Sequence, residues 1–230
     1  MSQIQVTILA AGMGKRLGRP FPKPLTQLAT GQTIMEQQID NIRTVFGDDV
    51  RITIVVGFKL DIVMEHVPDA VFVYNENFDQ TNTCKSLLKA LRASHEGSVI
   101  WMNGDVVFDP IILQRLTPFI VSGRSAVAVN TAAVAEEEVK YTVDDAGHVK
   151  ELSKTVVGGL GEAVGINLIG GKDKAALIQR LDECADQDYF ERGIELAIEA
   201  DGIEVTPVDI SDLFAVEVDF EGDLERANAR

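Results

Sequence analysis

The stretch that decides the fold reads Leu9-Ala10-Ala11-Gly12-Met13-Gly14-Lys15-Arg16-Leu17 and continues to Pro22-Lys23-Pro24-Leu25. It follows an apolar run at residues 4–9 that predicts a buried strand. Gly12, Gly14 and Gly18 then remove side chains from the turn after this strand. Backbone N–H groups in such a turn can point at one place, which suits a polyphosphate. We therefore predict a strand followed by a phosphate-binding loop.

The loop is basic in a chain that is otherwise acidic. Lys15, Arg16, Arg19 and Lys23 place four cations within nine residues, whereas the whole chain has a net charge of −15. The glycines match neither G-x-x-x-x-G-K-[ST] nor a full G-x-G-x-x-G, because position 17 is Leu. Glycine spacing alone leaves a second interpretation open, a Gly-rich surface turn with solvated basic side chains.

The composition is that of a globular protein with an acidic excess. Of 230 residues, 46% are apolar, and 36 Asp and Glu stand against 21 Lys and Arg. This balance argues against general binding to nucleic acid or to an anionic membrane. No apolar run approaches the roughly 20 residues that span a bilayer, and nothing marks a signal peptide. Cys84 and Cys184 have no metal-type spacing and are expected to be reduced thiols, with a disulfide as the alternative, so we expect a cytoplasmic protein.

Apolar β-rich runs alternate with helical patterns, which predicts an α/β fold with a mainly parallel sheet wrapped by helices. The predicted strands cover residues 4–9, 52–56, 71–74, 99–102, 126–130, 139–143, 149–152, 164–169, 203–208 and 215–218. The predicted helices cover residues 84–93, 110–121, 172–185 and 190–200, with a short one near 224 and a first one between Thr33 and Gly47. Thr33 and Glu36 match a capping box at the start of that first helix.

No linker, repeat or low-complexity tract divides the chain, so we predict one domain over residues 1–230. Residues up to about 109 form a regular β-α-β series, and residues from about 110 to 230 look like α+β decoration on the same sheet. In an open parallel sheet, ligands bind beyond the carboxyl ends of the strands. The Gly-rich loop, residues 75–83 and Asp105 all follow predicted strands, so we expect them to meet at one edge.

Asp105 is the sharpest candidate in the middle of the chain. It follows a predicted apolar strand, and Gly104 before it allows a ligand to approach closely. Mg²⁺ takes one or two carboxylates plus phosphate oxygens, so a carboxylate beside a triphosphate loop suits that ion. The alternative is an ordinary turn or cap residue.

The whole string L-A-A-G-x-G-x-R-L followed by P-K-P-L resembles the signature of nucleotidyltransferases, which join a nucleoside triphosphate to a phosphorylated small molecule. The resemblance implies a Rossmann-like, glycosyltransferase-A-like fold: a mixed, mainly parallel sheet with helices on both faces and a small acceptor-side α+β subregion. It also implies that residues 1–109 form a nucleotide-binding half and residues 110–230 an acceptor-binding half. Thr-Asn-Thr-x-x-Ser-Leu at 81–87 looks like the cytidylyltransferase branch, which acts on phosphocholine, 2-aminoethylphosphonate or related acceptors.

The same resemblance assigns roles to individual residues. Lys23, Arg16 and Asp105 are the expected catalytic residues. The expected nucleotide contacts are Leu9, Ala10, Ala11, Gly12, Gly14, Lys15, Asn82 and Thr83. Asp105 and Asp219 are the expected Mg²⁺ ligands, with Glu217, Glu221 and Asp223 as rivals of Asp219. Lys154 and Glu162 are expected acceptor contacts, and Glu191 is added to them as a carboxylate available to the head group of the acceptor. A plain helix N-cap remains the alternative for Asn82 and Thr83, and a solvated charge remains the alternative for Lys154 and Glu162.

The implied reaction is attack by an acceptor phosphate or phosphonate oxygen on the α-phosphorus of CTP, with pyrophosphate leaving. That oxygen is already ionised at neutral pH, so no general base is required. Two alternatives stay open: a sugar-1-phosphate nucleotidyltransferase that uses UTP, dTTP or GTP, and a catalytically inactive nucleotide-binding regulatory module. A choline acceptor needs aromatic faces or carboxylates, whereas a primary amine needs carboxylates alone. No nucleic-acid or membrane partner is expected, and a homodimer stays open.

Overall fold

The computed structural model describes residues 3–132 and 138–229, and only the backbone of Lys15. Within these residues the chain builds a nine-stranded mixed sheet with helices on both faces, which confirms the predicted α/β fold class. None of the helices in the described ranges combines the length and the apolar character that crossing a bilayer requires.

The strands are β1 (Gln5–Ala10), β2 (Arg51–Val56), β3 (Val71–Tyr74), β4 (Val99–Asn103), β5 (Val106–Phe108), β6 (Ser125–Asn130), β7 (Lys140–Val143), β8 (Val149–Ser153), β9 (Glu162–Ile169), β10 (Val205–Asp209) and β11 (Ala215–Glu217). The helices are α1 (Ile34–Phe46), α2 (Leu60–His66), α3 (Thr83–Arg92), α4 (Ile111–Ser122), α5 (Lys174–Glu183), α6 (Phe190–Asp201) and α7 (Glu221–Asn228). Two 3₁₀ turns, Lys15–Leu17 and Lys23–Leu25, lie between β1 and α1.

The main sheet runs in the order β10-β6-β9-β4-β1-β2-β3, with β7 and β8 attached beside β9. Strands β1 to β4 pair in parallel, and β9 lies antiparallel between β4 and β6. Strands β5 and β11 form a separate antiparallel pair. The carboxyl ends of β1 and β4 therefore open at the same edge, and β5 with β11 lies next to that edge.

Alternating residues of the central strands supply the cores on the two faces of the sheet. Leu9 and Trp101 pack with α3, α5 and α6 on one face. Ile8 and Met102 pack with α1 and α4 on the other face. Trp101 is 1% exposed and meets Phe190 edge to face at 5.6 Å, so it is a core residue.

Sequence analysis missed two short elements. Helix α2 has seven residues, enters through Lys59 in a left-handed conformation (φ 47°) and buries Val63 alone, so it shows no readable helical period. Strand β5 has three residues, and its partner β11 lies more than a hundred residues away in the sequence. No local pattern reports such a pairing.

Helix α1 begins at the predicted capping box. The hydroxyl of Thr33 accepts a hydrogen bond from the backbone N–H of Glu36 at 3.2 Å, and the carboxylate of Glu36 accepts from the backbone N–H of Thr33 at 2.7 Å. Two N–H groups that the helix itself leaves unpaired are thereby satisfied.

Replacing Thr33→Ala removes the hydroxyl half of this box, so we expect the free energy of unfolding to fall by about 1 kcal/mol. Urea denaturation followed by circular dichroism measures this change. The exposed Thr30→Ala is the matched control and should change stability by less than about 0.5 kcal/mol. An equal decrease in the free energy of unfolding in both variants would show that the capping box does not stabilise the protein.

Candidate active site

A cleft with a volume of about 750 Å³ opens at the carboxyl ends of β1 and β4. The residues singled out by sequence that line it are Leu9, Ala10, Gly12, Gly14, Arg16, Lys23, Asn82, Thr83, Asp105, Lys154, Glu191 and Asp219. The structure thus brings residues from both ends of the chain and from its middle to one place. Their arrangement agrees with the expectation that ligands meet this edge of the sheet.

Two of the singled-out residues lie outside the cleft lining. Ala11 is buried, and its carbonyl accepts from the N–H of Phe58 at 3.0 Å. Glu162 begins β9, in register with Lys140 of β7. The cleft geometry therefore does not support direct ligand contacts from Ala11 or Glu162. The side chain of Lys15 lies outside what the structure describes.

The floor of the cleft is an acidic cluster formed by Asp105, Glu217 and Asp219. One carboxylate oxygen from each lies within 4.8 Å of the others. Burial, and then the charges of Asp105 and Asp219, raises the pKa of Glu217 well above its usual range. Oδ1 of Asp105 is buried and has no hydrogen-bond partner among the described atoms. Three hard oxygen donors and an unpaired buried oxygen fit a small divalent cation such as Mg²⁺.

Lys23 places its ammonium group directly against this cluster. Its Nζ lies 2.6 Å from Oδ2 of Asp105 and 2.5 Å from Oδ1 of Asp219, and the residue is only 9% exposed. Burial by itself lowers the pKa of Lys23, but the two carboxylates outweigh burial and raise it. Lys23 is therefore a permanently charged group inside the cleft at neutral pH.

Arg16 adds a second cation at the rim. Its Nη1 lies 2.7 Å from Oδ2 of Asp219. Burial on its own raises the pKa of Asp219, but Lys23 and Arg16 together hold it below its usual range. Asp219 therefore stays ionised between the two cations.

Close backbone packing brings these groups together. The N–H of Gly104 donates to the carbonyl of Leu9 at 2.9 Å, and a Cβ on Gly104 would lie 2.8 Å from that oxygen and 2.9 Å from Cγ of Pro24. Gly14 adopts a φ of +58°, and a Cβ there would lie 2.9 Å from Cβ of Lys23. Because both positions exclude any side chain, the Lys23 segment packs directly on the strand ends.

Strand β11 and the two residues after it carry two of the three acids to the same point. The pairing of β11 with β5 sets Glu217 opposite Val106, and the N–H of Val218 donates to the carbonyl of Asp105 at 2.9 Å. Asp219 follows the end of β11, and its N–H donates to the carbonyl of Glu217 at 3.2 Å. Sequence analysis named Glu217 only as a rival of Asp219, and its closeness to Asp219 along the chain was the available signal.

Asn82 and Thr83 join the cleft to helix α6. Asn82 caps α3, as its side chain accepts from the N–H of Thr83 at 2.8 Å, and its amide donates to the carbonyl of Gln187 at 3.3 Å. The hydroxyl of Thr83 accepts from the N–H of Phe190 at 3.2 Å. These bonds fix the start of α6, which carries Glu191, beside the start of α3.

The far end of the cleft combines one cation with buried carboxylates. Lys154 follows β8, and its Nζ lies 5.4 Å from the ring centroid of Tyr189. Glu191 is 8% exposed, and its Oε2 has no hydrogen-bond partner among the described atoms. Burial raises the pKa of Glu191 to about 7, although the charge of Lys154 opposes this and that of Glu195 adds to it.

Glu138 also lines the cleft, and no pattern in the sequence pointed to it. Burial, with the nearby charge of Glu162, raises its pKa, and the charges of Asp219 and Asp223 add to this effect. At the far end, the carboxylate of Glu191 favours a positively charged group, whereas Lys154 favours an anion.

Comparison with known proteins agrees with this geometry. Residues 6–184 match the family described as the MobA-like NTP transferase domain. A CMP-5′-(3-aminopropyl)phosphonate synthase of Streptomyces rubellomurinus is 31% identical over an alignment that covers 99% of this chain and 38% of that protein. The chain thus spans well under half the length of this relative.

Solved structures share the fold at low sequence identity. The CTP:phosphocholine cytidylyltransferase of Streptococcus pneumoniae superposes with a TM-score of 0.76 at 18% identity, covering 99% of this chain and 98% of that one. A UDP-glucose pyrophosphorylase complexed with UDP-glucose superposes with a TM-score of 0.76 at 12% identity, covering 99% and 98%. The match over residues 6–184, with the loop and acidic cluster described above, shows that the chain belongs to the MobA-like NTP transferase family.

Proposed function

We propose that this protein transfers a cytidylyl group from CTP to the phosphonate or phosphate oxygen of a small acceptor that carries an amino group, releasing pyrophosphate. The observation that carries the proposal is the buried carboxyl group of Glu191, whose Oε2 has no hydrogen-bond partner in the part of the chain that the structure describes, in the same cleft as Lys23 and the acidic cluster. The name of the Streptomyces relative, a CMP-(3-aminopropyl)phosphonate synthase, supports the same acceptor class. In this proposal residues 1–109 mainly hold the nucleotide, and residues 110–230 mainly hold the acceptor.

The main barrier to such a transfer is repulsion between two polyanions, so catalysis requires positioning and positive charge. Lys23 would meet the charge that develops at the α-phosphate, while Arg16 and the loop N–H groups would hold the triphosphate. Asp105, Glu217 and Asp219 would hold Mg²⁺, which supplies Lewis-acid polarisation of phosphate oxygens when bound.

The acceptor would bind by its two ends. Lys154 would orient the phosphonate, whose ionised oxygen needs no general base. Glu191 would pair with the ammonium group at the other end, which gives its buried carboxylate a partner. None of the three histidines lies in the cleft lining, which fits a reaction that needs no base near neutral pH.

Pyrophosphate release tests the substrate assignment directly. We expect turnover with CTP, Mg²⁺ and 3-aminopropylphosphonate or 2-aminoethylphosphonate, and weaker turnover with propylphosphonate, which lacks the amine. Phosphocholine tests whether a quaternary ammonium is accepted. Release only with UTP or dTTP and a hexose 1-phosphate would move the protein to the sugar branch, and nucleotide binding without turnover on any acceptor would indicate an inactive module.

The charged side chains of Lys23 and Asp105 should account for most of the rate enhancement. We expect Lys23→Ala and Asp105→Ala each to lower kcat at least ~100-fold, the scale for losing a key electrostatic group. The first variant loses the cation that meets the charge on the α-phosphate, and the second loses a ligand of the metal. Lys89→Ala is the matched control, since Lys89 pairs with the exposed Glu76 away from the cleft. Near-normal rates in either cleft variant would refute the assignment of the site.

Glu191 should make acceptor binding depend on pH. Below about pH 7 its carboxyl is protonated and cannot pair with an ammonium, so the KM for 3-aminopropylphosphonate should fall as pH rises through about 7. The ratio of this KM to that for propylphosphonate removes the titration of the phosphonate itself. Glu191→Gln should raise the KM at least about tenfold at pH 8 and abolish the pH dependence of the ratio.

The control for this prediction is Glu199→Gln, an exposed carboxylate on the same helix. It should leave both the KM and the pH dependence unchanged. If the ratio of the two KM values stayed constant with pH in the unmodified protein, Glu191 would not be the group that recognises the amine.

A further inference from the structure

Helix α1 buries a polar side chain where its apolar face meets the sheet. Gln38 is 0% exposed and lies among buried Ile34, Met35, Ile39 and Ile42. A buried amide costs free energy unless its polar atoms are paired. What Gln38 bonds to therefore decides why the helix tolerates it.

The amide of Gln38 bridges the two ends of the turn that carries Asp105. Its Nε2 donates to the carbonyl of Asn103 at 2.9 Å and to the carbonyl of Val106 at 2.8 Å. These two carbonyls flank Gly104 and Asp105. One buried side chain thus ties the end of β4 to the start of β5.

Neighbouring amides on the same helix act elsewhere. Gln37 and Asn41 both donate to the carbonyl of Phe108, at 2.9 and 2.8 Å. That carbonyl lies at the other end of β5 and keeps one donor if the other is lost. Gln38, in contrast, is the one side chain in the described hydrogen bonds that donates to the carbonyls of both Asn103 and Val106.

A backbone hydrogen bond couples the position of the Asp105 turn to the rest of the acidic cluster. The carbonyl of Asp105 accepts from the N–H of Val218, which stands between Glu217 and Asp219. A shift of the Asp105 turn therefore moves its own carboxylate and disturbs the segment that presents the other two. A carboxylate cluster whose oxygens lie within 4.8 Å of one another has little tolerance for such a shift.

We propose that Gln38 is a positioning residue for the metal–nucleotide centre, which it controls by bridging the carbonyls of Asn103 and Val106 across the Asp105 turn. This inference rests on the proposed function for its effect on turnover. Its effect on the geometry of the carboxylates does not depend on that function. The Oε1 atom of Gln38 is buried without a partner among the described atoms, a cost in free energy that an apolar side chain would avoid. The two hydrogen bonds by which Gln38 fixes the Asp105 turn offset this cost.

Gln38→Leu tests the proposal, with Gln37→Leu as the matched control on the same helix. Electron paramagnetic resonance with Mn²⁺ alone reports the carboxylate cluster without requiring turnover. We expect Gln38→Leu to weaken Mn²⁺ binding at least about tenfold and to lower kcat by a similar factor, the range for groups that orient metal ligands, with the KM for the acceptor unchanged. Gln37→Leu should stay within about twofold of the unmodified protein in both quantities, because Asn41 still serves Phe108.

Gln38→Met supplies a second apolar variant of similar length if the leucine variant does not fold. Mn²⁺ affinity and kcat that match the unmodified protein in a folded Gln38 variant overturn the proposal. An equal loss in the Gln37 and Gln38 variants also overturns it, because the effect would then belong to the stability of the helix. If the unmodified protein released no pyrophosphate with any triphosphate, the proposed function would fail, and the Mn²⁺ comparison would still decide the role of Gln38.

Discussion

The structure depends on keeping three carboxylates side by side without letting their repulsion open the fold. Asp105, Glu217 and Asp219 place carboxylate oxygens within 4.8 Å of one another. The Nζ of Lys23 forms salt bridges with two of these carboxylates, at 2.6 Å from Asp105 and 2.5 Å from Asp219. In a partly buried site such like charges repel strongly, so cations must be built into the surroundings. The basic loop after β1 supplies them in a chain whose net charge is −15. Local charge reversal, rather than overall charge, makes the cleft suitable for a polyphosphate.

The scaffold fixes this cluster from three directions. The glycines at 14 and 104 allow the Lys23 segment to pack on the strand ends. The short β5–β11 ladder sets Glu217 opposite Val106, and Asp219 follows two residues after the ladder ends. Helix α1 fixes the turn between β4 and β5 through Gln38. Each constraint is formed by backbone packing or a buried hydrogen bond, so strands and a helix restrain the turn and loop segments that carry most of the cluster.

The sequence predicted most of the fold because its main elements have clear periods and caps. The parallel series and the capping box of Thr33 follow from local patterns, and the structure confirms them. Strand β5 was not predicted because a three-residue strand is too short to show a hydrophobic period, and its partner β11 is distant in the sequence. The bonds of Gln38 and the unpaired oxygen of Glu191 depend on tertiary placement, which no spacing reveals. Asp105 and Asp219 were found from motif context, whereas the convergence of their carboxylates needed coordinates.

The pair between Arg16 and Asp219 joins side chains 203 positions apart, and this has a consequence for shortened forms of the protein. Every strand of the nine-stranded sheet lies at or before Asp209, whereas β11 begins only at Ala215. A chain cut between these two residues therefore retains all strands of the main sheet but lacks two of the three acids of the cluster. Proteolysis or a premature stop in this short interval removes the centre without removing any strand of the sheet.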